Sequence, residues 1–258
     1  MVELTFLGTG TSTGIPLIGC FCPVCTSEDP RDRRTRTSAV VRFDGHTILI
    51  DTSPELRAQA VAARVSCVDA VIFTHAHADH VAGIDDLRRF NELNQAHLPV
   101  FADSPTSVLL RERYGYTFQD MFPFYGGKPD LLLNQFSGPF TVFDREVIPI
   151  EVTHGRWVVQ GFRFGPLVYI TDAKGISPTS IDKMRDADVL VLNALRERPH
   201  PTHLSIGEAL EVIAEVKPRE AYIVHVSHEV LHSAVDDALP AHVHLAYDGL
   251  TVRTQRDW

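Results

Sequence analysis

No apolar run in the 258 residues approaches the length needed to cross a bilayer, which excludes a spanning helix. Proline and glycine are spread along the chain, and low-complexity tracts and residue-level repeats are absent. Linkers and solenoid architectures are therefore not expected. The opening Met1-Val-Glu-Leu-Thr-Phe-Leu7 lacks the basic leader and sustained apolar stretch of a secretory signal and reads as a strand. Positive charge is also short, with 24 Lys and Arg against 33 Asp and Glu and a formal charge of −9. That balance argues against extensive nucleic-acid binding, which needs many cations on phosphates. A small anionic substrate stays open, because bound divalent ions would add local positive charge that the count omits. Only four cysteines are present. Their grouping suits metal better than disulfides, so a reducing cytoplasm is the expected location.

With 44% apolar residues the chain can bury a sizeable core, and residues 1–258 are expected to form a single domain. Apolar runs place strands near 2–7, 39–43, 46–50, 69–73, 98–102, 131–135, 140–152, 159–164, 166–171, 188–193, 220–226, 242–246 and 250–254. Helices are expected over 54–63, 79–93, 105–113 and 229–238. Another should follow Ser205, where Ser205 and Glu208 have capping-box spacing before an apolar stripe of Ile206, Ala209, Leu210 and Ile213. The economical architecture is α/β (α+β): a four-layer αββα sandwich of two mixed sheets with outer helices.

His75-Ala-His77-Ala-Asp79-His80 is the densest chemical feature, three imidazoles and a carboxylate directly after the apolar Ala70-Val-Ile-Phe73. Imidazole and carboxylate suit zinc, iron or manganese. A tight loop after a strand can aim His75 and His77 at one ion and Asp79 and His80 at a second. The competing reading is a solvated loop rich in histidine. His154, Asp172 and His225 repeat the layout, each closing an apolar strand, where loops build sites at the mouth of a sheet.

Cys20-Phe-Cys22-Pro-Val-Cys25 supplies three thiols, and His228 stands three residues after His225. Three thiolates and one imidazole make a closed tetrahedral zinc site with no position for reactive water. Disulfide pairing competes, although three clustered cysteines cannot pair among themselves. Cys67 reads as a small buried side chain.

The pattern His75-x-His77-x-Asp79-His80 with a later His, Asp and His resembles the metallo-β-lactamase superfamily of hydrolases. The resemblance implies that His75, His77 and His154 hold one divalent ion, that Asp79, His80 and His225 hold another, and that Asp172 bridges them. An Asp at position 172 resembles the branches that cleave phosphodiesters, thioesters or lactones. The resemblance also implies that Asp51 orients a ligand histidine, whereas the residues alone equally allow a helix N-cap before Pro54. The added cysteine and histidine site, together with Gly8-Thr-Gly-Thr-Ser-Thr-Gly14, is similar to the phosphoribosyl cyclic phosphodiesterase of phosphonate breakdown and its relatives. In that group an extra histidine acts on the leaving oxygen, and His203 lines up with it. The implied catalytic set is therefore His203 with the carboxylates Asp79 and Asp172.

The expected function is hydrolysis of a small nucleotide or sugar phosphodiester, cyclic forms included. Two active-site ions (zinc, manganese or iron) would make hydroxide at neutral pH, and one structural zinc would hold the fold. Alternatives are tRNA 3′-end processing, thioester or lactone hydrolysis, and a metal-binding protein without turnover. The Arg31-Asp-Arg-Arg-Thr-Arg36 run is either a phosphate contact or a solvated basic loop. Tyr114, Tyr116, Phe118, Phe122, Phe124 and Tyr125 are a lid, a homodimer face or a flap packed on its own subunit.

Overall fold

Two β-sheets face each other across a buried apolar layer that includes Phe6, Ile48, Ile72, Phe162, Phe164 and Val224. The computed structural model describes residues 1–119 and 127–258. One sheet contains β1 (Glu3–Gly8), β2 (Ser38–Phe43), β3 (His46–Ile50), β4 (Ala70–Ile72), β5 (Leu98–Asp103), β6 (Leu131–Phe136) and β15 (Thr251–Arg253). Its order is β15-β1-β2-β3-β4-β5-β6. The other contains β7 (Phe140–Val142), β8 (Arg145–His154), β9 (Trp157–Phe164), β10 (Leu167–Tyr169), β11 (Gly175–Ile176), β12 (Val189–Asn193), β13 (Glu220–Val224) and β14 (Val243–Leu245). Its order is β11-β8-β9-β10-β12-β13-β14, with β7 paired on β8. Both sheets mix parallel and antiparallel pairs.

The helices are α1 (Leu56–Ala62), α2 (Ala78–Val81), α3 (Arg88–Asn94), α4 (Ser104–Tyr114), α5 (Pro178–Met184), α6 (Ile206–Val216) and α7 (His232–Asp236). Leu56 of α1 and Phe90 of α3 share an outer core with Leu49 and Val71. Ile181 of α5 and Ile213 of α6 share another with Val168 and Leu190. The result is the αββα sandwich in four layers. Phe162 and Phe164 are fully buried between the sheets. Truncating either to Ala removes transfer energy and opens a cavity, a loss of about 3–5 kcal/mol.

The topology decides where a site can form. Strands β3 and β4 run parallel, as do β10, β12 and β13, and β8 runs the same way through the antiparallel β9. Their C-terminal ends therefore open on one edge of the sandwich, where the following residues are free of ladder pairing.

Several local expectations change. The helix expected over 79–93 is divided into α2, a 3₁₀ turn over Ile84–Leu87, and α3. The break falls at Gly83, whose amide donates to Thr52 O at 3.0 Å and where an added Cβ would lie 2.0 Å from Ser53 O. Backbone contact with the strand-end loop outweighs helical continuity there. The strand expected over 140–152 is a hairpin, β7 and β8, turned by Phe143 and Asp144 at positive φ. The helix expected over 229–238 shortens to α7. Helix α5 was not expected; Ser177 caps it by accepting from the Ser180 amide, and Pro178 starts it. The capping box at Ser205 and Glu208 is present.

The arginine run is divided between solvent and the interior, with Arg33 exposed and the others paired. Arg31 pairs with Asp29 at 2.7 Å, and Arg36 pairs with Glu55. Arg34 is fully buried, paired with Asp32 at 3.0 Å and donating to Val230 O at 3.0 Å. It ties the loop after β1 to the segment before α7. Cys67 is half-buried, and its thiol donates to Asp69 at 3.1 Å; burial pushes it up to about 11. Tyr114 and Phe118 pack on the α1 and α3 core, and the Tyr116 hydroxyl donates to Asp85. These three thus contact their own chain, while Phe122, Phe124 and Tyr125 lie outside the described residues.

Candidate metal centre

Asp51 follows β3, His75 follows β4, His77 caps α2, and Asp79 and His80 lie within it. His154 closes β8, Asp172 follows β10, His203 precedes α6, and His225 follows β13. Three of these turn off their strands in the left-handed region: Asp51 at φ 59°, Asp172 at φ 56° and His225 at φ 58°. Asp and His tolerate that region better than bulky residues, and the turn swings the side chain from the ladder into the opening.

The hydrogen bonds fix which ring nitrogen faces inward. The Thr74 hydroxyl donates to Asp51 Oδ2 at 2.8 Å and so accepts from His75 Nδ1 at 3.0 Å. Asp51 Oδ2 also accepts from His80 Nδ1 at 2.7 Å. Thr37 donates to Gly10 O at 2.9 Å and accepts from His225 Nδ1 at 3.2 Å. His154 Nδ1 donates to Thr202 O at 2.8 Å. Each of the four rings thus has its Nδ1 proton engaged outward, leaving Nε2 to face the opening as a ligand atom.

These nitrogens converge on carboxylates and on one another. His80 Nε2 lies 3.0 Å from Asp172 Oδ2 and 3.3 Å from Asp79 Oδ2. His225 Nε2 lies 3.2 Å from Asp172 Oδ1, and His203 Nδ1 lies 3.5 Å from the same oxygen. His75 Nε2 and His77 Nδ1 face each other at 3.0 Å, close to the roughly 3.3 Å edge of a tetrahedron with zinc–nitrogen bonds of about 2.0–2.1 Å. The His77 and His154 ring centroids are 5.2 Å apart. Ligand atoms within 4.8 Å of one another form three overlapping groups: His75, His80 and Asp172; Asp79, His80 and His225; and His154, Asp172 and His203. Asp172 is central to the cluster, and His203 stands as close as a ligand.

The electrostatics call for cations. Asp51 and Asp172 are buried and Asp79 nearly so, beside imidazoles that burial drives towards neutrality. Burial pushes Asp172 up, but His225 and His80 outweigh it and hold the carboxyl well below its usual range. Burial disfavours charge on His80, yet Asp172, Asp51 and Asp79 together hold it well above the ordinary histidine value. Burial and His225 push His203 down to about 3, making it a neutral imidazole. His203 Nδ1 is buried without a hydrogen-bond partner, and His80 Nε2 faces only the Asp172 and Asp79 carboxylates. Inward-facing ring nitrogens, a surplus of carboxylate and the unpartnered His203 Nδ1 fit divalent ions.

The second group is equally compact. His228 Nδ1 lies 3.4 Å from Cys20 Sγ, 3.4 Å from Cys22 Sγ and 3.8 Å from Cys25 Sγ. A tetrahedral zinc bonded at about 2.3 Å to sulfur and about 2.0–2.1 Å to nitrogen has edges of roughly 3.6 Å. No disulfide forms among the four cysteines. A bond from the Cys25 amide outweighs burial and lowers the Cys22 thiol to about 6, favouring the ligating thiolate.

The geometry removes one alternative for Asp51. Helix α1 is capped at Glu55, not Asp51. Sequence reasoning missed the threonines that orient the ligands: Thr37, Thr74 and the Thr202 carbonyl. Thr74 was visible as a neighbour of His75, but nothing in the local pattern marks Thr37. A cleft of about 730 Å³ between α1 and α3, lined by Leu56, Val61 and Phe90 among others, contains none of these ligands.

Residues 46–226 match the family model described as β-lactamase superfamily domain. The chain belongs to that superfamily. An octanoyltransferase of Porphyromonas gingivalis is 41% identical over 249 residues, 95% of this chain and 50% of that protein. The chain spans about half the length of the curated relatives it matches. A diphosphatase from the PhnP family superposes with a TM-score of 0.92 at 36% identity, covering 99% of this chain and 98% of that one. The Zn²⁺-bound PqqB from Methylobacterium extorquens shares the fold, with a TM-score of 0.78 at 18% identity over 97% of this chain and 99% of that one. Superfamily membership and the hydrolase relatives support a metal-dependent hydrolase. No described helix is long and apolar enough to cross a membrane.

Proposed function

We propose that the chain is a dinuclear metal-dependent phosphodiesterase acting on a small nucleotide or sugar phosphate. The observation that carries this reading is the inward convergence of ligand atoms on Asp172, with His203 beside them. His75, His77 and His154 would hold one ion and Asp79, His80 and His225 the other, with Asp172 shared. When bound, two such ions supply Lewis acidity and lower the pKa of water to about 7.

The chain's own residues do the rest. Asp51, Thr74, Thr37 and Thr202 hold the imidazoles in the tautomer that ligates. His203, neutral in its buried position, serves as a hydrogen-bond donor to the phosphoryl or departing oxygen rather than as a resident imidazolium. Cys20, Cys22, Cys25 and His228 would hold a structural zinc that pins the loop after β1 beside His225.

Likeness to the PhnP-family diphosphatase favours a second reading at the same centre, cleavage of a diphosphate bond. Octanoyl transfer is not adopted, since the match reaches only half of that relative's length. The test is turnover of metal-loaded protein on bis(p-nitrophenyl) phosphate, a cyclic nucleotide, a nucleoside diphosphate, an acyl thioester and a lactone. Phosphorus substrates should be cleaved, and chelation should abolish turnover. Cleavage of the thioester or lactone alone would refute the proposal.

A further inference from the structure

Trp157 is 42% exposed at the mouth of the metal centre, although a tryptophan gains far more by burial. The other tryptophan, Trp258, packs on Phe43 at 4.4 Å and on Phe164 at 5.8 Å between ring centroids. The exposed ring is firmly placed. Trp157 pairs with His154 in the register that closes the β8–β9 hairpin. The turn between them uses Gly155 at φ +60°, and an added Cβ there would lie 3.0 Å from Thr202, the residue whose carbonyl holds His154. The indole ring centre is 5.1 Å from that of His77, at 61° between planes. On the same ligand loop, Arg113 donates to Ala76 O at 2.6 Å. His77 is thus flanked by an open π surface and lies next to the residue that a guanidinium anchors.

We propose that Trp157 is a stacking platform for the nucleobase of the substrate, so that the substrates are nucleotides rather than bare sugar phosphates. The inference rests on the phosphate-ester reading of the metal centre and narrows it. Aromatic faces accept any base through stacking, and the metal centre that the ring borders would take the phosphate to which the base is joined through one sugar. An alkyl chain has no π face to lay on the indole and would cover it less completely. Trp157 is a specificity residue in this account and takes no part in bond cleavage.

The test uses the metal-loaded full chain with adenosine 5′-monophosphate, ribose 5-phosphate and octyl phosphate as probes, with binding measured by calorimetry and tryptophan emission. Adenosine monophosphate should bind roughly tenfold or more tighter than ribose 5-phosphate and quench emission. Trp157→Ala should collapse that ratio to near one. Trp157→Phe should keep the ratio while losing the quench, which separates stacking from loss of fold. Normal binding of ribose 5-phosphate without a base preference, or octyl phosphate equalling the nucleotide, overturns the stacking proposal alone. Failure of all three phosphates to bind would instead strike the phosphate-ester reading beneath it.

Discussion

Asp51 Oδ2 lies 2.7 Å from His80 Nδ1, with both side chains fully buried. The same carboxylate accepts the Thr74 amide and hydroxyl, each at 2.8 Å, and through that hydroxyl it also sets His75. One residue outside the proposed ligand set thereby orients a ligand in each of the two proposed ion sites. Asp51→Asn keeps the shape but removes the charge and an acceptor, so metal affinity should fall about 10–100-fold. Chelator competition measures it; an unchanged affinity would show that the contact is only structural.

His203 is expected to act on substrate oxygen. His203→Ala should lower kcat by about a hundredfold to a thousandfold, the scale of losing one donor to developing charge, while metal content stays intact. Steady-state kinetics paired with elemental analysis decide the matter. Loss of an ion in parallel with activity would make His203 a ligand, as its 3.5 Å approach to Asp172 permits.

The cysteine cluster predicts a different pattern. Cys22→Ser should remove one zinc per chain and lower Tm by roughly 5 °C or more, because the proposed ion would join the loop after β1 to the segment after β13. Zinc at the Asp172 cluster should remain. If Cys22→Ser leaves the zinc count untouched, the structural site is ruled out.

A pH effect is expected far from the metals. Burial raises Asp188, but bonds from the Arg256 amide and side chain outweigh it and hold the carboxylate below its ordinary 3.8. A lowered folded-state value means that this docking contributes fully above about pH 4 and is lost as pH falls through the folded value. The tail should then loosen around Trp258. Emission of Trp258 in a Trp157→Phe background should report the change below pH 4, and Asp188→Asn should show it at neutral pH. Loosening of the unmodified tail between pH 5 and 7 would contradict the assignment.

Much of the fold was legible because apolar runs such as Thr47-Ile-Leu-Ile50 and Val189-Leu-Val-Leu192 become strands whenever both faces are covered. The clustered His and Asp positions were legible for a related reason, since a polar residue ending an apolar strand falls at the sheet edge. Other features depend on contacts distant in sequence. Gly83 breaks a helix because Ser53 lies against it, and Thr37 matters because His225 arrives 188 residues later. Arg34 looked like part of a basic loop, but the Val230 carbonyl that helps bury it arrives 196 residues later. The stacking surface at Trp157 was likewise hidden, because exposure is a property of the assembled edge.

The most direct measurement is anomalous X-ray diffraction from crystals of the metal-loaded protein, recorded across the zinc and manganese edges. Two peaks should lie among His75, His77, Asp79, His80, His154, Asp172 and His225, about 3.5–4 Å apart, and one among Cys20, Cys22, Cys25 and His228. An empty Asp172 cluster in protein that has retained hydrolase activity would contradict the account.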